Sequence, residues 1–384
     1  MPGRVANLPD RIARLARRQG SISFAEFVEW ALYDPEGGFY ELGGRAGRRG
    51  DFLTSPEVGP LFGAVIAHAL DSWWDGLGRP DPYILVEAGA GAGTLARSVL
   101  DAAPACAPAL RYVLVERSAA LREAAAQNLR LELPAFVLGP ATPAAPGEQP
   151  EPVAGTGPLC TVLPELPAEP IAGTVLANEL LDNLPFLLLE RAGAGWLEVR
   201  VGSAEEDERL VEVLVPAAPD LAAEAEALAP AAPVRARVPV QHAARAWLPA
   251  ALGAVDRGRV VVLDYAGDTP AMAGRPWAEW LRTYRSHGRG GHPLDRPGGQ
   301  DITCEVAVDQ LSRSHPPTAD RSQAEFLASH GLDDLEAEAR AAWQARAHVG
   351  DLEALRWRSR LSEAAALRDP AGLGAFRVLE WEVG

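Results

Sequence analysis

The stretch YILVEAGAGAGTLARSVL, residues 83–100, decides how the rest of the chain is read. An apolar run leads to Glu87. Gly89, Gly91 and Gly93 follow, and a stretch of helical character opens at Thr94. The run predicts a buried strand over 83–87, and the stretch beyond the glycines predicts a helix over 93–102. A glycine turn between strand and helix lets backbone approach a nucleotide closely. A dinucleotide fold uses G-x-G-x-x-G at this place, with the third glycine allowing close helix packing. Here the pattern is G-A-G-A-G-T, so Thr94 stands where that glycine belongs.

The neighbouring acids sharpen the reading. Glu87, just before the loop, is awkward beside a pyrophosphate. It suits a cationic ligand, such as the amino group of S-adenosyl-L-methionine (SAM), reached directly or through water. The next predicted strand, RYVLVE over 111–116, ends at Glu116. A carboxylate there can accept hydrogen bonds from both ribose hydroxyls. E-x-G-x-G-x-G with an acid ending the following strand therefore predicts SAM as cofactor. A tight glycine turn whose acids are merely solvated is the alternative.

Outward from this unit, 118–130 predicts a second helix, so strands and helices alternate. Continuous apolar strands in that alternation imply a parallel sheet covered on both faces. GPLFGAVIAHALDSWW, ahead of the loop, predicts a helix burying Leu61, Phe62, Val65, Ile66 and Ala69. AGTVLANELLDNLP predicts a strand ending in polar residues, and GRVVVLDYAG returns to the central sheet. Residues 186–214 alternate as an inserted antiparallel unit. Residues 322–363 read as helical, and FRVLEWEV as a terminal strand. PATPAAPGEQPEPVAGTGP reads as surface. Near the start, Ser23 and Glu26 form a capping box. A 27-residue glycine-rich segment without periodicity, YDPEGGFYELGGRAGRRGDFLTSPEVG, follows, and ordered loops of that length are commonly functional.

Composition narrows the function classes. The 384 residues carry a net charge of −16, against a general nucleic-acid binder, which needs a basic face. All 36 basic residues are arginine, a bias expected of a GC-rich, bacterial genome. Cys106, Cys160 and Cys304 are far apart and form no C-x-x-C, so neither a zinc site nor a disulfide scaffold is expected. No apolar run reaches the roughly 18 residues of a membrane span. The Arg-rich start lacks the apolar middle of a secretory signal and reads as an ordinary first helix. A cytoplasmic protein is expected.

Taken together, the motifs closely resemble the MidA-like SAM-dependent methyltransferase family. FAEFVEWALYDPEGGFY resembles its N-terminal helix and loop entry, and GDFLTSPEVGPLFG its GDF-x-T-[SA]-PE segment. VEAGAGAGTL corresponds to its SAM loop and YVLVERSAALREAAAQNL to its ribose-binding strand. LANELLDNLP corresponds to its N-E-hydrophobic-hydrophobic-D-x-L-P motif. VVVLDYAG, GGQDITCEV, SQAEFLASHGL and LGAFRVLEW match later landmarks. The resemblance implies a Rossmann-like class I SAM methyltransferase sheet, an N-terminal helical and loop lid over 1–75, and a SAM-binding domain over 76–384. Insertions fall around 186–235 and 280–305. Mitochondrial members are protein arginine methyltransferases needed to assemble respiratory complex I. The resemblance thus implies a protein substrate, with a complex I subunit in view, and S-adenosylhomocysteine as product. Departures are Ala90 and Ala92 in the loop, where the family commonly has proline and arginine, and Gly59, Pro60 and Ala64 after the TSPE segment.

These readings nominate residues. Glu87, Gly89, Gly91, Gly93, Glu116 and Asn178 are expected to bind the cofactor, with Asp51, Thr54 and Ser55 from the long loop. Thr54 and Ser55 could take the methionine carboxylate and Glu57 could act on the acceptor; alternatively, SPEV is simply a helix start with Ser55 as cap and Pro56 at the first position. An arginine acceptor needs a carboxylate to orient its guanidinium. Glu179, Asp182 and Glu57 are the candidates, with Glu179 and Asp182 on one face if a helical turn begins there. Helix capping by Asn178 and Asp182 is the structural alternative. Asp264 and Tyr265 could line the acceptor channel, and His287 and Asp301 are further loop candidates. Arg282, Arg285 and Arg289 could pair with the protein's own acids. Against catalysis stands a SAM-binding assembly factor that docks a partner without turnover. An NAD-dependent oxidoreductase is disfavoured by Thr94 and Glu87. Oligomeric state is not legible.

Overall fold

The strand expected ahead of the glycine turn runs Tyr83–Ala88 (β1) and lies inside a seven-stranded sheet. The computed structural model describes residues 7–43, 54–139, 155–204, 209–285 and 288–384. Asp51, with the rest of 44–53, and His287 lie outside them. The other strands of this sheet are Leu110–Val115 (β2), Leu159–Leu163 (β3), Ile171–Asn178 (β4), Val255–Asp264 (β5), Ala319–Ser322 (β6) and Arg377–Val383 (β7). Their order is β3-β2-β1-β4-β5-β7-β6. The first five are mutually parallel. β7 runs antiparallel to β5, and β6 antiparallel to β7. The Rossmann-like sheet expected from the βαβ pattern is therefore present. β3 and β6 were not expected. LCTVL is short and emerges from a Pro/Ala/Gly tract, and ADRS is polar. Both are held at sheet edges by backbone pairing, which needs no apolar pattern.

The chain gathers into two compact units that interleave in sequence. One comprises Leu53–Glu179, Ala250–Asp264 and Pro317–Gly384, and holds this sheet. Its helices include Pro60–Gly76 (α1), Thr94–Asp101 (α2) and Ala119–Asn128 (α3). Leu61, Phe62, Val65, Ile66 and Ala69 are all buried, with Tyr83, Leu85, Leu95 and Val99 in the same cluster. α1 lies so close to α2 that a Cβ on Gly63 would come within 2.3 Å of Ser98 Cβ. The single helical region expected near the end is three helices, Gln323–Ser329, Leu332–Arg346 and Leu352–Arg368. The last sends Glu363 to cap α1, whose Leu61 N–H donates to Glu363 Oε2 at 3.0 Å. A Cβ on Gly59 would sit 2.2 Å from that carboxylate, so glycine is required there and Pro60 fills the first helical position.

The other unit comprises Met1–Phe52, Leu180–Pro249 and Tyr265–Pro316. The expected antiparallel insertion is present. Leu187–Ala192, Gly195–Ser203 and Leu210–Pro216 pair with one another, joined by Ile22–Ser23 and Arg237–Val240. Helices Leu8–Gln19 and Phe24–Tyr33 belong to the same unit, the second opened by the Ser23–Glu26 capping box. Phe24, Phe27, Phe186 and Val199 share its core. Leu281–Arg285, Gly288–Arg289 and Asp301–Cys304 form a small sheet of their own. Among the described residues no helix is long and apolar enough to cross a membrane, and no group of acidic, histidine or cysteine side chains could hold a metal ion. Cys106, Cys160 and Cys304 are buried thiols outside any disulfide among the described residues.

Candidate functional site

Ligands of open α/β sheets lie outside the carboxyl ends of the strands, where strand order reverses. Here that point falls between β1 and β4. β1 delivers Glu87 and then the glycine turn, where Gly89, Gly91 and Gly93 have φ of 73°, 53° and 77°. Side chains strain such left-handed backbone. A Cβ on Gly91 would meet no atom within 4 Å and would stand in open space beside the loop. β2 delivers Glu116, which accepts from Gly91 N–H at 2.9 Å and from Ser118 N–H at 2.8 Å. Those bonds hold the carboxylate beside the loop.

Glu87 is buried and accepts from the Tyr112 hydroxyl at 2.6 Å. Burial pushes its carboxyl up to about 7, Glu116 adds to the rise, and the Tyr112 bond opposes it. A cation placed beside it would draw that value down again.

β4 delivers Asn178 and Glu179. Asn178 Oδ1 is buried without a hydrogen-bond partner among the described residues, and its Nδ2 donates to Glu179 Oε1 at 3.3 Å. Glu179 has φ of 50°, an uncommon conformation for a non-glycine residue that recurs at functional sites. Its N–H donates to Leu263 O at 2.8 Å, tying it to β5. Its Oε1 also accepts from Ser55 N–H at 2.8 Å. Burial raises the Glu179 carboxyl to about 8; the charge of Asp264 contributes, and the Ser55 and Asn178 bonds oppose. Asp264 is buried at the matching end of β5.

The left-handed turn at Glu179 corrects the sequence expectation. No helical turn begins at 179; a 3₁₀ turn starts at Leu181, so Glu179 and Asp182 do not share a helical face. Asn178 and Asp182 do not cap it either, because its cap is Leu180, without a side-chain bond. Asp182 falls in the other compact unit, as do Tyr265 and Asp301. There Asp301 is buried and accepts from the Tyr40 hydroxyl and from Asn183 Nδ2, both at 3.1 Å. Tyr265 is only half-buried, and Arg282 lies over its ring at 4.1 Å, so that arginine engages an aromatic ring rather than an acid.

The TSPE segment forms a helical turn, Ser55–Val58, as a helix start there requires, but its cap is Thr54, without a side-chain bond, and Ser55 rather than Pro56 is its first residue. Ser55 is fully buried, and its hydroxyl donates to Gln323 Oε1 at 3.1 Å. Glu57 Oε1 accepts from Thr94 Oγ1 at 2.9 Å, at the first residue of α2. Sequence reasoning missed Tyr112, Gln323, Glu363 and the Thr94–Glu57 pair. Gln323 lies inside SQAEFLASHGL, where Ser322 and Glu325 form a capping box that by itself accounts for the motif.

This edge suits SAM on the chemistry of its acceptors. Glu87, Glu116 and the Asn178 oxygen offer acceptors to hydroxyls, an ammonium and an amino group. The turn supplies open space at Gly91, and Asn178 Oδ1 lacks only a donor.

The comparisons agree with that chemistry. The model of a S-adenosyl-L-methionine-dependent methyltransferase family matches residues 65–321. The chain belongs to this family. A protein of Burkholderia thailandensis solved with S-adenosyl-homocysteine bound superposes on the methyltransferase with a TM-score of 0.79, at 26% identity. That alignment covers 98% of this chain and 91% of the other. A mitochondrial protein arginine methyltransferase of Danio rerio is 28% identical over 82% of this chain and 74% of its own length. Its Drosophila melanogaster homolog is 32% identical over 49% of this chain, spanning 43% of the homolog. The human protein is 29% identical over 52% of this chain and 46% of its own. The chain thus spans less than half of the fly and human relatives it matches.

Proposed function

We propose that this chain transfers the methyl group of SAM to an arginine side chain of a protein. The observation that carries the reading is Glu179, a left-handed acid fixed at the end of β4 beside the cofactor edge. Methyl transfer from a sulfonium is an in-line displacement, for which SAM supplies an electrophilic methyl. The enzyme's part is to hold the acceptor nitrogen about 3 Å from that methyl and to manage its proton. Glu116 and Asn178 hold the nucleoside, Glu87 favours the cationic end of the cofactor, and Glu179 orients the guanidinium. Ser55 N–H and Asn178 keep the Glu179 carboxylate in one direction. The carboxyl's raised value suits a group that meets a cation when substrate arrives and accepts a proton as the nitrogen becomes methylated.

Names of the fly, zebrafish and human relatives support arginine as acceptor, and a subunit of respiratory complex I is the acceptor that the resemblance nominates. The departure at Gly59 and Pro60 does not weaken turnover in this reading, since Glu363 and the start of α1 account for it. Mass spectrometry of lysate proteins after incubation with labelled SAM tests the proposal. Label on arginine is expected. SAM binding without any transferred label would favour a non-catalytic assembly factor.

A further inference from the structure

The glycine turn resembles a phosphate-binding loop in sequence, but four of its N–H groups are used within the protein. A loop that cradles phosphate points backbone N–H groups at the anion, and the following helix dipole adds to the attraction. Here the N–H groups of Gly89 and Ala90 both donate to Val115 O, at 2.8 and 3.1 Å. That of Gly91 donates to Glu116, and that of Gly93 to Ala90 O at 2.9 Å. At the start of α2, where a pyrophosphate would lie, the protein supplies an anion of its own. Glu57 accepts from Thr94 Oγ1, and Thr94 is both the first residue of α2 and the residue that replaces the third glycine.

We propose that Glu57 is a specificity-determining residue: its carboxylate, held by Thr94 at the start of α2, occupies the place of a ligand phosphate and selects a cationic nucleoside over a nucleotide. The pair works by charge. A carboxylate at a helix N-terminus satisfies the local dipole and repels a second anion. SAM, with a sulfonium and an ammonium against a single carboxylate, is net cationic and is favoured overall, and the buried Glu87 and Glu116 at the adjoining strand ends add acidic groups to the same edge. This reading rests on the methyltransferase assignment and puts Glu57 on the cofactor side rather than among the acceptor carboxylates.

The test is calorimetric titration of wild type, Glu57→Gln and Thr94→Val with SAM, ADP-ribose and adenosine. In Glu57→Gln, ADP-ribose should bind about tenfold tighter and SAM about tenfold weaker, the scale of one charged contact. Adenosine, which carries no charge, should bind as in wild type. Thr94→Val keeps the charge and should keep most of the selectivity. An unchanged ratio of SAM to ADP-ribose affinity in Glu57→Gln would overturn the proposal. So would loss of adenosine binding in Glu57→Gln, which would make Glu57 a brace for the loop. Slowed methyl transfer with unchanged binding would return it to the acceptor side. Failure of wild type to bind SAM would instead overturn the methyltransferase assignment, which separates the two ideas.

Discussion

At the scale of single residues, the cofactor edge rests on charge held under constraint. Glu116 bonds two backbone N–H groups, so Glu116→Ala removes both the proposed ribose acceptor and a brace for the loop. SAM affinity should fall roughly ten- to a hundredfold, since a bond to a charged group is worth about 1.5–3 kcal/mol. Unchanged affinity by calorimetry would refute the role of β2. Glu179 gives a prediction with a sign. Its carboxyl is raised from 4.5 to about 8, so the folded protein holds this proton more tightly than the unfolded chain. Glu179 therefore costs stability as pH rises from 4.5 towards 8, because the unfolded state then sheds the proton first. The anion that a guanidinium needs appears over the same window. Methyl transfer should thus rise towards pH 8, while Glu179→Gln flattens that limb, lowers transfer about a hundredfold and barely moves SAM affinity. In thermal melts the stability of Glu179→Gln relative to wild type should grow across that window. If Glu179→Gln weakens SAM binding as much as it slows transfer, Glu179 is a cofactor ligand.

At the scale of elements, the site depends on helix starts fixed by residues far away in sequence. Glu363 reaches α1 across 302 positions to take Leu61 N–H, and Ser359 Oγ donates to its other oxygen at 3.0 Å. Gly59→Ala would drive a methyl into that carboxylate. The cap would be displaced, at a cost of about 1–3 kcal/mol by the usual range for overpacking and lost capping. Urea unfolding should show this as a lower midpoint with an unchanged slope. A midpoint equal to wild type would mean that Glu363 moves aside freely and that the glycine has another cause. The turn Ser55–Val58 lies between α1 and the site, and through Ser55 and Glu57 it touches both Glu179 and α2. A single four-residue turn thus joins Glu179 to the start of α2.

At the scale of the whole molecule, a net charge of −16 acts on any basic partner. Arginine-rich peptides should associate faster than neutral ones, and raising salt from about 50 to 500 mM should reduce their kcat/KM through screening. SAM affinity should change much less, because Glu87 and Glu116, the acids proposed to hold it, are buried away from bulk salt. A kcat/KM indifferent to salt would argue that the acidic surface serves solubility alone.

Much of this was fixed by local sequence. Glu87, the three glycines and Glu116 specify strand, turn and strand within 34 residues, and their chemistry names the ligand class without long-range information. Ser23 and Glu26 announce a helix start because both partners lie within one turn. The alternation over 186–214 predicts antiparallel strands because one face of each must be buried. Other features are properties of the tertiary structure. The edge strands β3 and β6 exist because neighbours pair with them. Glu179 turns left-handed because β5 holds its N–H, and its proton is held because the fold partly desolvates it near Asp264. The bonds of Glu57 to Thr94, Ser55 to Gln323 and Glu363 to Leu61 join residues 37, 268 and 302 positions apart. No local pattern encodes such partners: a carboxylate reads the same whether it meets solvent, a helix start or a substrate, and only packing decides which.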